Sequence, residues 1–194
     1  MAETLDQLYM EMLQCQACKL RAGCSRVVPA VGQRTNPTVM IIGESPGQQE
    51  DERGEPFVGR AGEVLREVLR RVGLNRTNTL ITNVVKCRPP GNKFPEDDCP
   101  DICVSKWLIE EINLARPKCL LLVGGRSLNH VAKLDGITKR RGQWITVHGI
   151  KAMATFHPSY VLRMENGSKD DSAVLLMYRN MFISDITEVA KEVK

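Results

Sequence analysis

The chain has 194 residues, 42% of them apolar and 26% charged, and its 27 Lys+Arg against 23 Asp+Glu leave a formal charge of +4. That length suits one α/β domain spanning residues 1–194 and is short for two. The apolar content argues against disorder, and the small positive charge excludes a polybasic tail protein, leaving any nucleic-acid contact to a local patch. The longest buried-looking apolar run, residues 119–123, is too short to span a bilayer. The acidic first six residues lack an apolar signal core, so a cytoplasmic chain without membrane attachment is expected.

Residues 3–14 place Leu5, Leu8 and Met12 at helical spacing and lead into Cys15-x2-Cys18. Two thiols at that spacing form a chelating loop of the kind used for zinc or iron–sulfur clusters. Residues 39–42 are a short apolar run closing on Gly43, which reads as a buried strand. Gly43-Glu44-Ser45-Pro46-Gly47 follows, and its two glycines around a proline let backbone N–H groups approach a planar ligand. It is not a Walker loop, because no Gly-Lys-Ser/Thr follows. Glu50 and Asp51 read as a solvated acidic loop. Pro56-Phe57-Val58-Gly59 sets an aromatic before the amphipathic helix of residues 62–72, which Gly73 stops. Phe57 is either core or a stacking surface for a flat base.

Residues 79–85 form the second predicted strand, and within it Asn83 ends the run Leu80-Ile81-Thr82. Its amide carries a donor and an acceptor, which match the N3–H and O4 edge of a pyrimidine such as uracil, though Asn equally caps turns. Residues 103–114 are a second amphipathic helix carrying Trp107, Leu108 and Ile112, closed by Pro117. Residues 120–123 are a third strand ending in Gly124-Gly125, and Lys139-Arg140-Arg141 reads as a solvated basic loop. Residues 144–147 and 152–156 read as strands flanking a His148-Gly149 turn. His157-Pro158-Ser159-Tyr160-Val161-Leu162-Arg163 comes next. There His157 is placed to donate to charge developing on a leaving group. The following side chains are placed to wedge into a base stack, with Arg163 on phosphate. Residues 174–193 are helical in pattern.

This alternation predicts a central, mainly parallel four-stranded sheet with helices on both faces. Ligands of such sheets sit beyond the carboxyl ends of the strands. Glu44, Asn83, Gly124-Gly125 and His157 all end or follow strands, so one cleft is expected to gather Glu44, Asn83 and His157. The seven cysteines, at 15, 18, 24, 87, 99, 103 and 119, point to metal or cluster ligation rather than disulfides in a chain of this kind. No His lies near Cys15 or Cys87, which disfavours a Cys2His2 site and leaves zinc or a [4Fe–4S] cluster on four thiolates. Cys24, Cys87, Cys99 and Cys103 compete for the remaining positions, while Cys119 opens an apolar strand and reads as a buried hydrophobe.

Taken together, these segments resemble the family-4 uracil-DNA glycosylases, the iron–sulfur branch of the uracil-DNA glycosylase superfamily. The resemblance covers nearly the whole chain. It rests on Cys15-x2-Cys18, on Gly43-Glu44-Ser45-Pro46-Gly47 with Glu50-Asp51, and on Pro56-Phe57-Val58-Gly59-Arg60-Ala61-Gly62. It rests also on Asn83-Val84-Val85-Lys86-Cys87-Arg88-Pro89-Pro90, Cys103, Arg141-Gly142 and the segment from His157 to Arg163. It implies a [4Fe–4S] cluster on Cys15, Cys18, Cys87 and Cys103, passing over Cys24, Cys99 and Cys119. Glu44, Ser45, Pro46 and Glu50 would line the uracil site, Phe57 would stack on the base, and Asn83 would read its edge. His157 would stabilise the uracil anion, and Glu44 would orient a water or stabilise the oxocarbenium-like sugar. Arg88, Ser159, Tyr160 and Arg163 would face the DNA, the loop from 157 to 163 entering the duplex.

The implied activity is removal of a flipped uracil from double- or single-stranded DNA by a monomer, leaving an abasic site in base excision repair. No Lys in the motifs is placed for a Schiff base, so a monofunctional enzyme is expected. Ser45 stands where members of the family it resembles often carry a small residue such as Ala or Gly. Lys86 runs straight into Cys87, without the basic insert of the sister branch that cross-links to DNA. The competing reading is a non-catalytic iron–sulfur or zinc DNA-binding accessory protein, which would not need Glu44, Phe57, Asn83 and His157 together.

Overall fold

The computed structural model describes residues 2–167 and 172–193. In chain order its elements are α1 (Leu5–Leu13), α2 (Leu20–Gly23), β1 (Val31–Gly32), β2 (Val39–Gly43), α3 (Gln48–Arg53), α4 (Arg60–Arg71) and β3 (Thr79–Asn83). A 3-10 turn (Pro90–Asn92), α5 (Cys99–Cys103), a π-helical turn (Val104–Leu108) and α6 (Ile109–Ala115) lead to β4 (Cys119–Val123). Then come α7 (Gly125–Ala132), α8 (Ile137–Arg140), β5 (Trp144–Val147), β6 (Ile150–Thr155), α9 (Pro158–Gly167) and α10 (Ser172–Glu192). No helix among the described residues is long and apolar enough to cross a membrane.

The sheet runs β1-β3-β2-β4-β6-β5. Its core is the expected parallel set of four, with β3, β2, β4 and β6 paired side by side. An antiparallel strand is added at each edge, β1 on β3 and β5 on β6, making six. The central strands are buried at every position because helices cover both faces. Alternate residues feed two cores. Met40, Ile42, Leu120 and Leu122 pack toward α1 and residues 99–115. Val39, Ile41, Leu121 and Val123 pack toward α4 and α10. On α4, Leu65, Val68 and Leu69 are buried, each contributing about 1.5–3 kcal/mol by its removal from water.

Four local readings are corrected. The second strand stops at Asn83, because Val84 and Val85 turn their N–H groups onto the carbonyls of Gly43 (3.0 Å) and Glu44 (3.2 Å). The second amphipathic helix starts earlier, at Cys99 with Pro100 in its first turn, and carries the π turn. The segment after His157 is not a loop: Pro158 opens α9, and Tyr160 N–H closes its first turn on the His157 carbonyl (2.8 Å). The acidic and basic "surface" runs are partly internal. Asp51 is buried and accepts from the amides of Ser25 (2.9 Å) and Arg26 (3.1 Å). Arg141 forks onto buried Asp185 of α10, which also accepts from Thr155 Oγ1 (2.7 Å).

The topology also fixes where a ligand can sit. The chain leaves β2 for β3 on one side and then crosses to β4 on the other. Connections diverge at that reversal and open a crevice beyond the carboxyl ends of the strands.

Candidate active site

A cavity of about 420 Å³ occupies this crevice, and Glu44, Asn83, Gly124 and His157 border it from the ends of β2, β3, β4 and β6. Ser45, Pro46, Glu50, Phe57, Ser159, Tyr160 and Arg163 also line it. Arg88 does not. Its Nε donates to Asn92 Oδ1 (2.8 Å), and Asn92 reaches the cavity wall in its place.

Asn83 is only 2% exposed, and its side-chain amide makes no hydrogen bond to any described residue. The amide borders the cavity, so its donor and acceptor stand available to a ligand there. Gly43 makes room for it. A Cβ there would stand 2.4 Å from Asn83 Oδ1 and 2.5 Å from the Phe57 ring. Phe57 is buried with φ of 55°, in the left-handed region that a bulky residue avoids. Two contacts hold it there. Arg66 Nη1 donates to its carbonyl, and Gly62 approaches so closely that a Cβ would lie 1.7 Å from that oxygen. Strain of this kind persists where the surroundings impose it, typically at functional positions.

Glu44 accepts the N–H of Arg126 in the first turn of α7 (3.2 Å), so the helix dipole favours its negative form. Burial acts the other way and outweighs it. The Glu44 carboxyl is held above its ordinary range despite the Arg126 amide and the charges of Arg126 and Arg163. Gly124, at φ of 104°, leaves room for both catalytic candidates, since a Cβ there would fall 2.2 Å from Glu44 Oε1 and 3.1 Å from His157 Cβ.

His157 lies against Phe57, their ring centroids 5.9 Å apart and the planes 28° from parallel. Its Nδ1 accepts the Ser159 backbone N–H (3.2 Å), with the Ser159 hydroxyl at 2.8 Å. A backbone amide can only donate, so Nδ1 is the acceptor and the ring proton sits on Nε2. Burial first, then the positive Arg163, pushes the imidazole down to about 4. His157 is therefore a neutral N–H donor at neutral pH.

Other predicted residues have more specific positions than the motifs suggested. Glu50 borders the cavity, but its two oxygens accept from the amides of Gly47 (3.1 Å) and Gly59 (2.8 Å), bracing the loops that carry Ser45 and Phe57. Tyr160 stacks on Phe156 and meets Tyr178 edge-on, fastening α9 to α10, while Arg163 covers its outer side. Phe94, Arg126 and Ile137 were not singled out from the sequence. Phe94 and Ile137 line the wall, and the Arg126 guanidinium lies over the Phe94 ring at 5.5 Å. The only signal for them was the Gly124-Gly125 turn, which announced a loop without naming its neighbours. His130 and His148 stand away from the cavity lining.

Six of the cysteines gather on one face of the sheet and Cys119 packs on the other. The Cys99 thiol is raised by burial first and then by Asp97 and the neighbouring Cys18, and the Cys87 thiol by burial first and then by the neighbouring Cys24, so each pair lies close enough to interact. Cys15 Sγ receives Trp107 Nε1–H (3.3 Å) and the Ala17 amide (3.5 Å). N–H donors on sulfur are what stabilise thiolate ligands. Tetrahedral zinc needs sulfurs about 3.8 Å apart. Among the described residues the one trio of ligand atoms within 4.8 Å of one another is Asp97, Asp98 and Cys99, so no three cysteines reach that spacing. Cys15, Cys18, Cys24, Cys87, Cys99 and Cys103 thus supply the soft sulfur donors that a metal centre on this face of the sheet would draw on.

The uracil DNA glycosylase superfamily model matches residues 29–179. The type-4 uracil-DNA glycosylase of Thermotoga maritima is 38% identical over 164 residues, covering 83% of this chain and 84% of that protein. The type-4 uracil-DNA glycosylase of Saccharolobus solfataricus is 37% identical over 170 residues, covering 82% and 78%. The type-5 uracil-DNA glycosylase of Pyrobaculum aerophilum is 29% identical over 152 residues, covering 69% and 66%.

Proposed function

The chain belongs to the uracil-DNA glycosylase superfamily, and on that premise we propose that it is a monofunctional DNA repair enzyme that hydrolyses the N-glycosidic bond of a flipped uracil. The observation that carries this reading is the Asn83 amide, unclaimed by any described side chain or backbone group, sharing one cavity with Phe57, His157 and Glu44. Phe57 offers a π-face for the base and Asn83 an acceptor and donor for N3–H and O4. Flipping costs a few kcal/mol, less at a mismatched pair. Once the base is seated, the bond breaks as negative charge moves onto uracil O2. The neutral His157 Nε2–H donates to that oxygen, and a fixed donor needs no reorganisation at that moment. The Glu44 carboxylate balances positive charge growing on the sugar and orients the attacking water. Ser159 holds the His157 ring, and Arg163 and Tyr160 border the side from which DNA enters.

Cys15, Cys18, Cys87 and Cys103 would hold a [4Fe–4S] cluster, which when bound ties residues 15–18 to residues 87–103 and supplies no step of the hydrolysis. Cys87→Ala is expected to bleach the visible absorption and lower stability by several kcal/mol, because ligation free energy is folding free energy. Iron analysis and thermal melting check this, and full iron content in Cys87→Ala would move the ligand to Cys24 or Cys99. All seven cysteines are free thiols, which suits the reducing cytoplasm.

The pH profile follows from the two groups. Catalysis needs Glu44 ionised and His157 neutral, and both conditions fail as pH falls. Single-turnover rates should be flat through neutrality and drop on the acid side at a pH above the ordinary carboxylate range. In Glu44→Gln, a much slower enzyme, that limb should vanish, leaving only a fall toward about 4 from His157. In Glu44→Gln, an inflection at 6.5, the ordinary histidine value, would contradict the assignment.

The test of the function is cleavage of an end-labelled oligonucleotide carrying one uracil. Scission at that position only after alkali is the expected result. Scission without alkali would reveal a lyase nucleophile, and no product from iron-replete protein would refute the reading.

A further inference from the structure

Beneath the Asn83 end of β3 lies an ion pair between Lys86 and Glu111, whose side chains are 2% and 0% exposed. All three ammonium donors of Lys86 are used. They go to Glu111 Oε2, to Thr82 Oγ1 (2.6 Å) and to the carbonyl of Asn83 (2.8 Å). Thr82 Oγ1 in turn reaches Glu111 Oε2 (3.2 Å), and the Tyr9 hydroxyl is buried against the same carboxylate. The Lys86 carbonyl accepts from Val28 N–H (2.8 Å), so the backbone at this residue is fixed as well.

Stability alone does not account for such a pair. Apolar residues of similar volume often serve as well or better in that role, because burying two charges costs much of what their attraction returns. Its placement suggests another role. The strand ends at Asn83, the chain turns sharply over the next three residues, and Lys86 reaches back to grip the Asn83 carbonyl. Gly43 on the paired strand leaves room for the Asn83 amide, since a Cβ there would stand 2.4 Å from its Oδ1.

We propose that Lys86, held by Glu111, is a positioning residue that sets the Asn83 backbone so that its amide meets the uracil edge. The proposal rests on the base-reading role given to Asn83 above. A group that acts through another shows non-additive effects, so the test is a cycle with Asn83→Ala. Removing Lys86 alone would leave Glu111 buried and unpaired, so the pair is replaced together as Lys86→Met with Glu111→Leu. The double variant should melt near the parent temperature and keep its iron. It should lose about 10–100-fold in single-turnover excision, the size of effect an ångström of misplacement produces. In the Asn83→Ala background the same replacement should cost almost nothing further. Glu111→Gln, which keeps the shape, should show a smaller loss with the same non-additivity, and it decides the matter if the double variant does not fold. Full excision by the pair variants while Asn83→Ala is crippled would overturn the proposal alone, as would additive losses. Unimpaired Asn83→Ala would instead overturn the reading on which it rests.

Discussion

Asn83→Asp is expected to lower kcat/KM for uracil excision by about a hundredfold to a thousandfold, the loss of a paired base-edge contact with a repulsion added. The amide offers a donor toward O4 and an acceptor toward N3–H, whereas an ionised carboxylate offers acceptors only. It therefore presents negative charge to O4 in a site where Asn83 is buried. The substitution is nearly isosteric, so the room that Gly43 leaves for the side chain is still filled. Single-turnover kinetics on a uracil oligonucleotide measure the loss. Binding to DNA bearing the abasic product should be little changed, because the edge-reading contact is gone from that complex. Unchanged excision would remove Asn83 from base recognition.

His157→Ala is expected to lower kcat by about 10²–10³, the usual cost of removing one preorganised donor to a developing oxyanion, with KM nearly constant. The argument depends on the tautomer. Ser159 donates its amide to Nδ1, which leaves the Nε2 proton for uracil O2. His157→Gln keeps an amide donor and should recover part of the rate. A loss expressed in KM alone would mean that His157 binds substrate without stabilising the charge that develops.

Much of this architecture was legible in the sequence, for reasons that can be named. The parallel core shows as continuous apolar runs because both faces of the sheet are covered, as Met40 and Ile41 illustrate by facing opposite cores. Glu44, Asn83 and His157 were recognisable as one cleft because each sits where a parallel strand ends. The features that escaped depend on partners distant along the chain. Arg141 reads as one more surface cation until Asp185, on the last helix, is brought beside it. Asp51 looks solvated until the amides of Ser25 and Arg26 fold over it. Lys86 lies between an asparagine and a cysteine of evident interest, and nothing local announces that Glu111 faces it across the core. The edge strand β1 is two residues long and is held only by pairing with β3, so no local pattern marks it. The helix at Pro158 carries a sequence signal, proline at the first helical position, which the aromatic and aliphatic residues Tyr160, Val161 and Leu162 after it obscured.

The most direct test of the central claim is a diffraction structure of the protein with free uracil bound. The account predicts the base in the cavity at the ends of β2, β3, β4 and β6, flat against Phe57. Asn83 should pair with its N3–H and O4 edge, and His157 Nε2 should lie on O2. Uracil seated elsewhere, or in this cavity with the Asn83 amide still unpaired, would contradict it.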